Sequence, residues 1–102
     1  MSCLSRFSFR AIPGKTGELE QELKKLRDLV VSVGGIRPKI LHTHFASPGA
    51  PDIVFEQEAP DLASLETEIN HLTDNPEFQA WTKKMSGLLT QSPKREVYLV
   101  VD

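Results

Sequence analysis

Cysteine is almost absent from this chain of 102 residues, which contains only Cys3. A single cysteine cannot form an internal disulfide, so the composition excludes a disulfide-stapled scaffold and favours a reducing compartment. No apolar run approaches the ~20 residues that a membrane-spanning helix requires. The N-terminus, Met-Ser-Cys-Leu-Ser-Arg, lacks the apolar core of a signal peptide. We therefore expect a soluble, cytoplasmic protein that does not associate with membranes.

The chain also lacks an excess of charge of either sign, with 12 Lys and Arg, 14 Asp and Glu, and a formal net charge of -2. Because acids and bases are interspersed, the sequence offers no electrostatic footprint for nucleic acid. It contains no glycine-rich phosphate loop, no Cys-x-x-Cys pair and no convincing Ser-His-Asp order. The length suffices for one modest hydrophobic core, so we predict one domain over residues 1–102.

Hydrophobic periodicity predicts four strands and two helices, the second of them interrupted. The strands are expected over residues 3–12, 36–46, 52–58 and 95–101. The first helix is expected to be capped by Thr16 and to end at Gly34-Gly35. The second begins at Pro60-Asp61 and breaks at Thr73-Asp74, after which Asn75 caps its continuation. This order predicts an α+β, ferredoxin-like βαββαβ fold, an antiparallel sheet with helices on one face.

Alternation along each strand predicts which side chains share a face of the sheet. We assign the more apolar set to the helices: Phe7, Phe9, Ala11, Leu41, Phe45, Ile53, Phe55, Val97, Leu99 and Val101. The opposite face then carries Arg6, Arg10, Ile40, His42, His44, Val54, Glu56, Glu58, Glu96, Tyr98 and Val100. This second set is too polar for a core and too apolar for a face wholly in water.

The opposite face, here called the mixed face, supplies the candidate site. Histidine transfers protons near neutral pH, so His42, His44 and Tyr98 are candidate catalytic residues. Arg6 and Arg10 would hold an anionic or carbonyl-bearing ligand, and Glu56 and Glu58 complete the candidate ligand-binding set. An alternative is a metal site formed by both histidines and a glutamate, although no further motif fixes the ligand number. A second alternative is a polar interface in which these side chains merely pair with one another.

Two stretches resemble a known superfamily. Phe9-Arg10-Ala11-Ile12-Pro13-Gly14-Lys15 leads from strand to helix, and Asn75-Pro76-Glu77-Phe78-Gln79-Ala80-Trp81 continues the broken helix. Together with the layout of residues 4–101, they resemble the small dimeric α+β barrel proteins, which include antibiotic-biosynthesis-type monooxygenases and NIPSNAP-like domains. The haem-degrading branch uses an asparagine on the first strand, whereas no asparagine precedes Asn70 here. The resemblance therefore does not extend to haem, and no cofactor is expected.

The resemblance implies a homodimer in which a second copy covers the mixed face. It also implies a pocket for a small organic ligand, with cofactor-independent monooxygenase, isomerase or lyase activity. The rival interpretation is a non-catalytic dimerisation or interaction module. An RNA-recognition domain shares the strand order, but residues 52–56, Asp-Ile-Val-Phe-Glu, lack the basic, glycine-containing signature.

Overall fold

The computed structural model describes residues 1–101 and contains four strands, three α-helices and one 3₁₀ turn. The strands are β1 (Cys3–Phe9), β2 (Lys39–His42), β3 (Ile53–Ala59) and β4 (Lys94–Leu99). The α-helices are α1 (Thr16–Ser32), α2 (Leu62–Thr73) and α3 (Pro76–Met85), and the 3₁₀ turn is Ser86–Leu88. No helix within these residues combines the length and apolar character needed to cross a bilayer.

The strands form one antiparallel sheet in the order β2-β3-β1-β4. In the centre of the sheet Phe7 lies opposite Phe55, and Arg6 lies opposite both Glu56 and Glu96. Directly opposed residues share a face, so the odd-numbered residues of β1, β3 and β4 lie on one side. The helices cover that side, which confirms the predicted α+β ferredoxin-like arrangement.

The hydrophobic core lies between the sheet and the helices. Its larger cluster combines Phe9, Ile53 and Phe55 from the sheet with Leu23 of α1 and Trp81 of α3. A smaller cluster brings Cys3, Ala59 and Leu65 together beneath α2. Cys3 has no exposed surface and packs as a small buried hydrophobe. Among residues 1–101, no helix lies against the opposite side of the sheet.

The break in the second helix occurs at Asp74–Asn75, as predicted. The Asn75 side chain accepts hydrogen bonds from the backbone N–H groups of Glu77 and Phe78, at 2.8 and 3.2 Å. Pro76 occupies the first turn of α3, where its missing N–H costs nothing. The break redirects the chain so that Phe78 and Trp81 stack at 6.0 Å between ring centroids. Trp81 is thereby fixed in the core.

The predicted cap of the first helix is wrong. Helix α1 begins at Thr16, its N-cap is Lys15, and no side chain caps it. The turn at Pro13-Gly14 changes the direction of the chain before the helix, because Gly14 adopts a φ of 83°. The predicted end of α1 is confirmed: Gly34 has a φ of 81°, and its N–H donates to the carbonyl of Val31.

The largest correction concerns β2, which covers only residues 39–42 of the predicted 36–46. Its register places Ile40 opposite Phe55, Leu41 opposite Val54 and His42 opposite Ile53. Ile40 and His42 therefore lie on the helix side, and Leu41 lies on the uncovered side, the reverse of the prediction. The physical reason is packing: Ile40 is half-buried against the core, whereas Phe45 lies beyond the strand and is 90% exposed.

Edge strand β4 carries a charged residue on the helix side. Arg95 lies opposite Phe7, and its guanidinium is 4.6 Å from the centroid of the Phe7 ring. The ring face attracts the cation, while burial lowers the pKa of the Arg95 guanidinium. The helices do not extend over the rest of β4, so Val97 and Leu99 remain exposed on that side.

Helices α1 and α3 are joined by a buried carboxylate. Glu22 of α1 is only 8% exposed, and its Oε1 lies 3.0 Å from Lys25 Nζ and 3.3 Å from Lys84 Nζ of α3. Within residues 1–101, its buried Oε2 accepts no hydrogen bond. Burial raises the pKa of Glu22, but hydrogen bonds and charge from the two lysines outweigh burial and hold it below its ordinary value.

The Glu22 cluster predicts a dependence of stability on pH. A carboxylate whose folded-state pKa lies below its unfolded value stabilises the fold above the unfolded pKa, and this contribution is lost as pH falls through the folded pKa. We expect Glu22→Gln to lower the free energy of unfolding by about 1 kcal/mol at pH 7. At a pH below the folded pKa of Glu22 the difference should largely disappear. Urea denaturation of both proteins across this range measures it.

The matched control is Glu18→Gln, which removes the same charge from an exposed side chain of the same helix. Its effect should be smaller at pH 7 and should change little with pH. Equal effects of the two substitutions at pH 7 would contradict the role assigned to Glu22.

Candidate functional site

The uncovered side of the sheet, here called the open face, carries most of the predicted site residues. Its side chains come from Leu4, Arg6 and Ser8 of β1, Lys39 and Leu41 of β2, Val54, Glu56 and Glu58 of β3, and Lys94, Glu96 and Tyr98 of β4. Leu41 and Tyr98 are 42% and 47% exposed. The open face thus mixes apolar and charged groups, as the sequence predicted.

A concave region of about 510 Å³, here called the open-face hollow, spans the open face and the loop after β2. Four predicted residues line it: Arg6, His42, His44 and Tyr98. Leu41, Phe45 and Val54 add apolar walls. The volume is within the usual range for small-molecule sites, and polar and apolar residues line the hollow in roughly equal numbers.

Arg6 is neutralised within the sheet. Its Nε and Nη2 atoms donate to Oε2 of Glu56 at 3.2 and 3.1 Å, because the two residues are directly opposed on β1 and β3. Its guanidinium also lies 5.7 Å from the centroid of the Tyr98 ring. Arg6 and Glu56 therefore form a structural pair that orients Tyr98, and the alternative of pairing across the sheet is confirmed for them.

The two histidines occupy different positions. Nδ1 of His42 lies 3.1 Å from Oε1 of Glu20 on α1, so this histidine reaches towards the helix side and forms only the rim of the open-face hollow. His44 follows the strand in the loop, where its ring contacts Phe45 edge-on at 4.6 Å between centroids. Since His42 faces away from Glu56 and Glu58, the metal site suggested by strand alternation does not form. Within residues 1–101, no three His, Cys, Asp or Glu side chains converge as metal ligands do.

Arg10 lies in an adjoining concavity of about 170 Å³, here called the side hollow. Its guanidinium donates to the carbonyl of Gly49 in the loop after β2. Lys94 also lines the side hollow, which shares Ser8, Pro51 and Glu96 with the open-face hollow. Neither Arg10 nor Lys94 forms an ion pair within the described residues. Two basic groups thus lie beside one carboxylate, that of Glu96.

Glu58 is separated from the other predicted site residues. It lines a third hollow with Leu4, Arg37 and Lys39, on the other side of the Arg6–Glu56 pair. Lys94, which completes the side hollow, was assigned to a loop by the sequence. In the structure Lys94 pairs with Ser8, so β4 begins one residue earlier than predicted. This pairing places the Lys94 side chain on the open face.

Comparison with protein-family models and with curated proteins finds no match. Solved structures do match over nearly the whole chain. A NIPSNAP domain protein from Burkholderia xenovorans superposes with a TM-score of 0.76 and 17% identity, covering 99% of this chain and 95% of its own. A candidate antibiotic biosynthesis monooxygenase from Nitrosomonas europaea gives 0.69 and 12%, covering 95% and 88%.

A third match is described as a dimeric protein of unknown function and ferredoxin-like fold from Bacteroides fragilis. It has a TM-score of 0.65 and 15% identity, covering 95% of this chain and 94% of its own. Identities this low establish shared architecture and leave activity open. The chain has the ferredoxin-like α+β fold of the NIPSNAP-domain and monooxygenase-like structures, as the resemblance of its sequence predicted.

Proposed function

We propose that this protein is a homodimer that binds a small organic anion at the open face. The observation that carries the proposal is that Arg10 and Lys94, two basic side chains that form no ion pair within residues 1–101, share the side hollow with a single carboxylate, that of Glu96. A carboxylate or enolate placed between them would gain charge-assisted hydrogen bonds. The rest of the ligand would lie against Leu41, Val54 and Tyr98 in the open-face hollow.

We assign Arg10 and Lys94 as the anion anchor because the other basic side chains of the open face lie beside glutamate carboxylates. Arg6 already pairs with Glu56, so a ligand anion would have to compete with that carboxylate for it. Lys39 and Arg37 lie with Glu56 and Glu58 in the third hollow. Arg10 is held by the neutral Gly49 carbonyl alone, which orients the guanidinium and leaves its charge available.

His44 is the proposed proton-transfer group. It lines the open-face hollow and forms no ion pair with any residue that the structure describes, whereas His42 is engaged by Glu20. An imidazole transfers protons near neutral pH, and Tyr98 offers a hydroxyl donor on the same hollow. This combination suits chemistry that needs no bound cofactor, such as moving a proton on a carbon next to a carbonyl group.

A second copy of the chain is the proposed cover of the open face. Leu41 and Tyr98 are apolar or amphipathic groups left exposed to water by one copy, and Val54 between them is only half-buried. The Bacteroides fragilis structure with this fold is described as dimeric, which supports the proposal. Covering the open face would also exclude bulk water from the hollow and strengthen the attraction between Arg10 and a bound anion.

Benzoate tests the proposed function, because it joins a carboxylate to an apolar ring of suitable size. We expect saturable binding in a nuclear magnetic resonance titration, with shifts at residues of both hollows. Arg10→Gln should raise the dissociation constant at least about tenfold, or ~1.4 kcal/mol. Lys94→Gln should act in the same direction, and neutral benzamide should bind more weakly and respond little to either change.

The matched control is Arg37→Gln, which removes an arginine from the third hollow. It should leave benzoate binding within about twofold, ~0.4 kcal/mol. If benzoate fails to bind, or if Arg10→Gln and Lys94→Gln bind it as the original protein does, the open face is an assembly surface without an anion site. The non-catalytic dimerisation module would then be the better interpretation.

A further inference from the structure

A separate hollow of about 360 Å³ lies between the end of α1 and one face of α2, away from the open face. Val30, Val33, Ile36 and Leu72 give it apolar walls. The polar groups on α2 include Glu68 and, one turn further on, His71. This α1–α2 hollow is large enough for a molecule of several heavy atoms.

Glu68 is the charged group at the wall of the α1–α2 hollow. Its Oε1 accepts hydrogen bonds from the backbone N–H of Ile36 at 3.1 Å and from Nε2 of Gln57 at 2.6 Å. Both donors are neutral, so they fix the carboxylate without cancelling its charge. Glu68 is half-buried and forms no ion pair, with His71 or any other residue, within residues 1–101.

The end of α1 adds negative potential to the same place. Helix dipoles present partial negative charge at the carboxyl end, and α1 has no basic residue in its last turn to offset it. Gly35 lies where the Glu68 carboxylate and the end of α1 meet. A Cβ there would lie 2.8 Å from Glu68 Oε1 and 3.0 Å from the Val30 carbonyl oxygen, so both oxygens approach Gly35 closely. The Val30 carbonyl accepts a hydrogen bond from the Gly35 N–H at 2.9 Å. A carboxylate and a helix carboxyl end are thus held side by side.

We propose that the α1–α2 hollow binds the ammonium group of a small primary amine. Glu68 is the counter-ion, the end of α1 adds to the attraction, and the alkyl part packs against Val30, Val33 and Leu72. A bare metal ion fits less well, because the hollow is mainly apolar and much larger than an ion. This site is independent of the proposed function at the open face.

n-Butylammonium is the probe, and 1-butanol is its neutral counterpart of similar shape. In a nuclear magnetic resonance titration, butylammonium should shift residues around Gly34–Ile36 and α2 in a saturable manner, with at least fivefold higher affinity than butanol. Glu68→Gln keeps the Oε1 acceptor for Ile36 and Gln57 and removes the charge. It should weaken butylammonium binding at least tenfold and leave butanol binding unchanged.

The matched control is Glu66→Gln, which removes the same charge from an exposed position of the same helix and should change binding less than twofold. Ser64→Phe is a second variant that fills the hollow from an exposed position and should abolish binding of both probes. Equal affinity for butylammonium and butanol, absence of saturable binding, or an unchanged affinity in Ser64→Phe would each overturn the proposal.

The ammonium group could also be that of a lysine side chain on another protein, and one further probe distinguishes the two sources. Nα-acetyl-lysine methylamide presents the same ammonium with a peptide backbone attached. If the hollow accepts free amines, this compound should bind more weakly than butylammonium, because its backbone must remain outside. The reverse order of affinities would overturn the small-molecule assignment.

Discussion

Replacing Leu41 with aspartate is expected to convert the proposed dimer into a species of the single-chain mass, 11.4 kDa, at micromolar concentration. Leu41 lies on the open face of edge strand β2 and is 42% exposed in one copy. If a second copy covers it, the substitution places a carboxylate in a desolvated interface, where an unpaired charge is costly. The dissociation constant of the dimer should rise at least about 100-fold, ~2.8 kcal/mol.

The control for Leu41→Asp is Val31→Asp. Val31 is 43% exposed, so it matches Leu41 in exposure, but it lies on helix α1 rather than on the sheet. The control protein should remain dimeric, and both variants should keep the circular dichroism spectrum of the folded chain. Sedimentation velocity measures the outcome. A Leu41→Asp protein that associates as strongly as the original would place the interface elsewhere and leave the open-face hollow uncovered.

Trp81→Ala is expected to have the largest effect on stability, a loss of about 3–5 kcal/mol in the free energy of unfolding. Trp81 is 8% exposed, stacks on Phe78, and donates its indole N–H to the carbonyl of Glu22 at 2.8 Å. Alanine would leave a cavity between α1 and α3 and would remove the indole hydrogen bond to the Glu22 carbonyl, which keeps its helical hydrogen bond within α1. Since native proteins are stable by only about 5–15 kcal/mol, the variant should be close to unfolding.

Trp81→Phe separates the two contributions. Phenylalanine keeps most of the apolar surface and loses the hydrogen bond to Glu22, so we expect about 1–2 kcal/mol. Urea denaturation followed by circular dichroism is the measurement, at one fixed protein concentration because the proposed dimer would contribute to stability. A loss below about 1 kcal/mol for Trp81→Ala would show that the α1–α3 contact is not central to the fold.

The sequence predicted the architecture well because each of its signals was local and redundant. The cap at Asn75 with Pro76 located the helix break to within a residue, and Gly34 located the end of α1. Alternation assigned the faces of β1 and β3 correctly. In β4, Val97 and Leu99 lie on the predicted side but are exposed, and Val101 lies beyond the strand and is 87% exposed. Strong alternation over seven residues leaves little freedom in register.

Strand β2 shows what local patterns do not determine. Alternation separates Ile40 and His42 from Leu41 but does not say which set meets the helices. The prediction relied on Phe45 as an inward residue, whereas the strand ends at His42 and Phe45 lies in the following loop. Over the four residues of β2, the pattern does not favour either Ile40 or Leu41 as the inward residue. Contact with α1 decides which of them faces the helices. His42 consequently meets Glu20, and the candidate site retains only His44 as its unengaged histidine.

The side hollow and the α1–α2 hollow depend on residues that are distant in sequence. Arg10 and Lys94 come from opposite ends of the chain, and Glu68 meets Gly35 only because α2 packs beside the end of α1. None of these pairs has a spacing that a sequence motif would reveal. The sheet order β2-β3-β1-β4 brings them together, so these sites could be found only after the fold was known.

The burial of Cys3 gives this protein a practical advantage for spectroscopy. Its thiol has no exposed surface, and its Sγ lies 3.5 Å from the carbonyl of Asp61, so alkylating reagents in solution do not reach it while the chain is folded. A cysteine introduced at an exposed position, such as Phe45 beside the open-face hollow, would then be the single accessible attachment point. A fluorophore or spin label could be placed there without first removing the native residue.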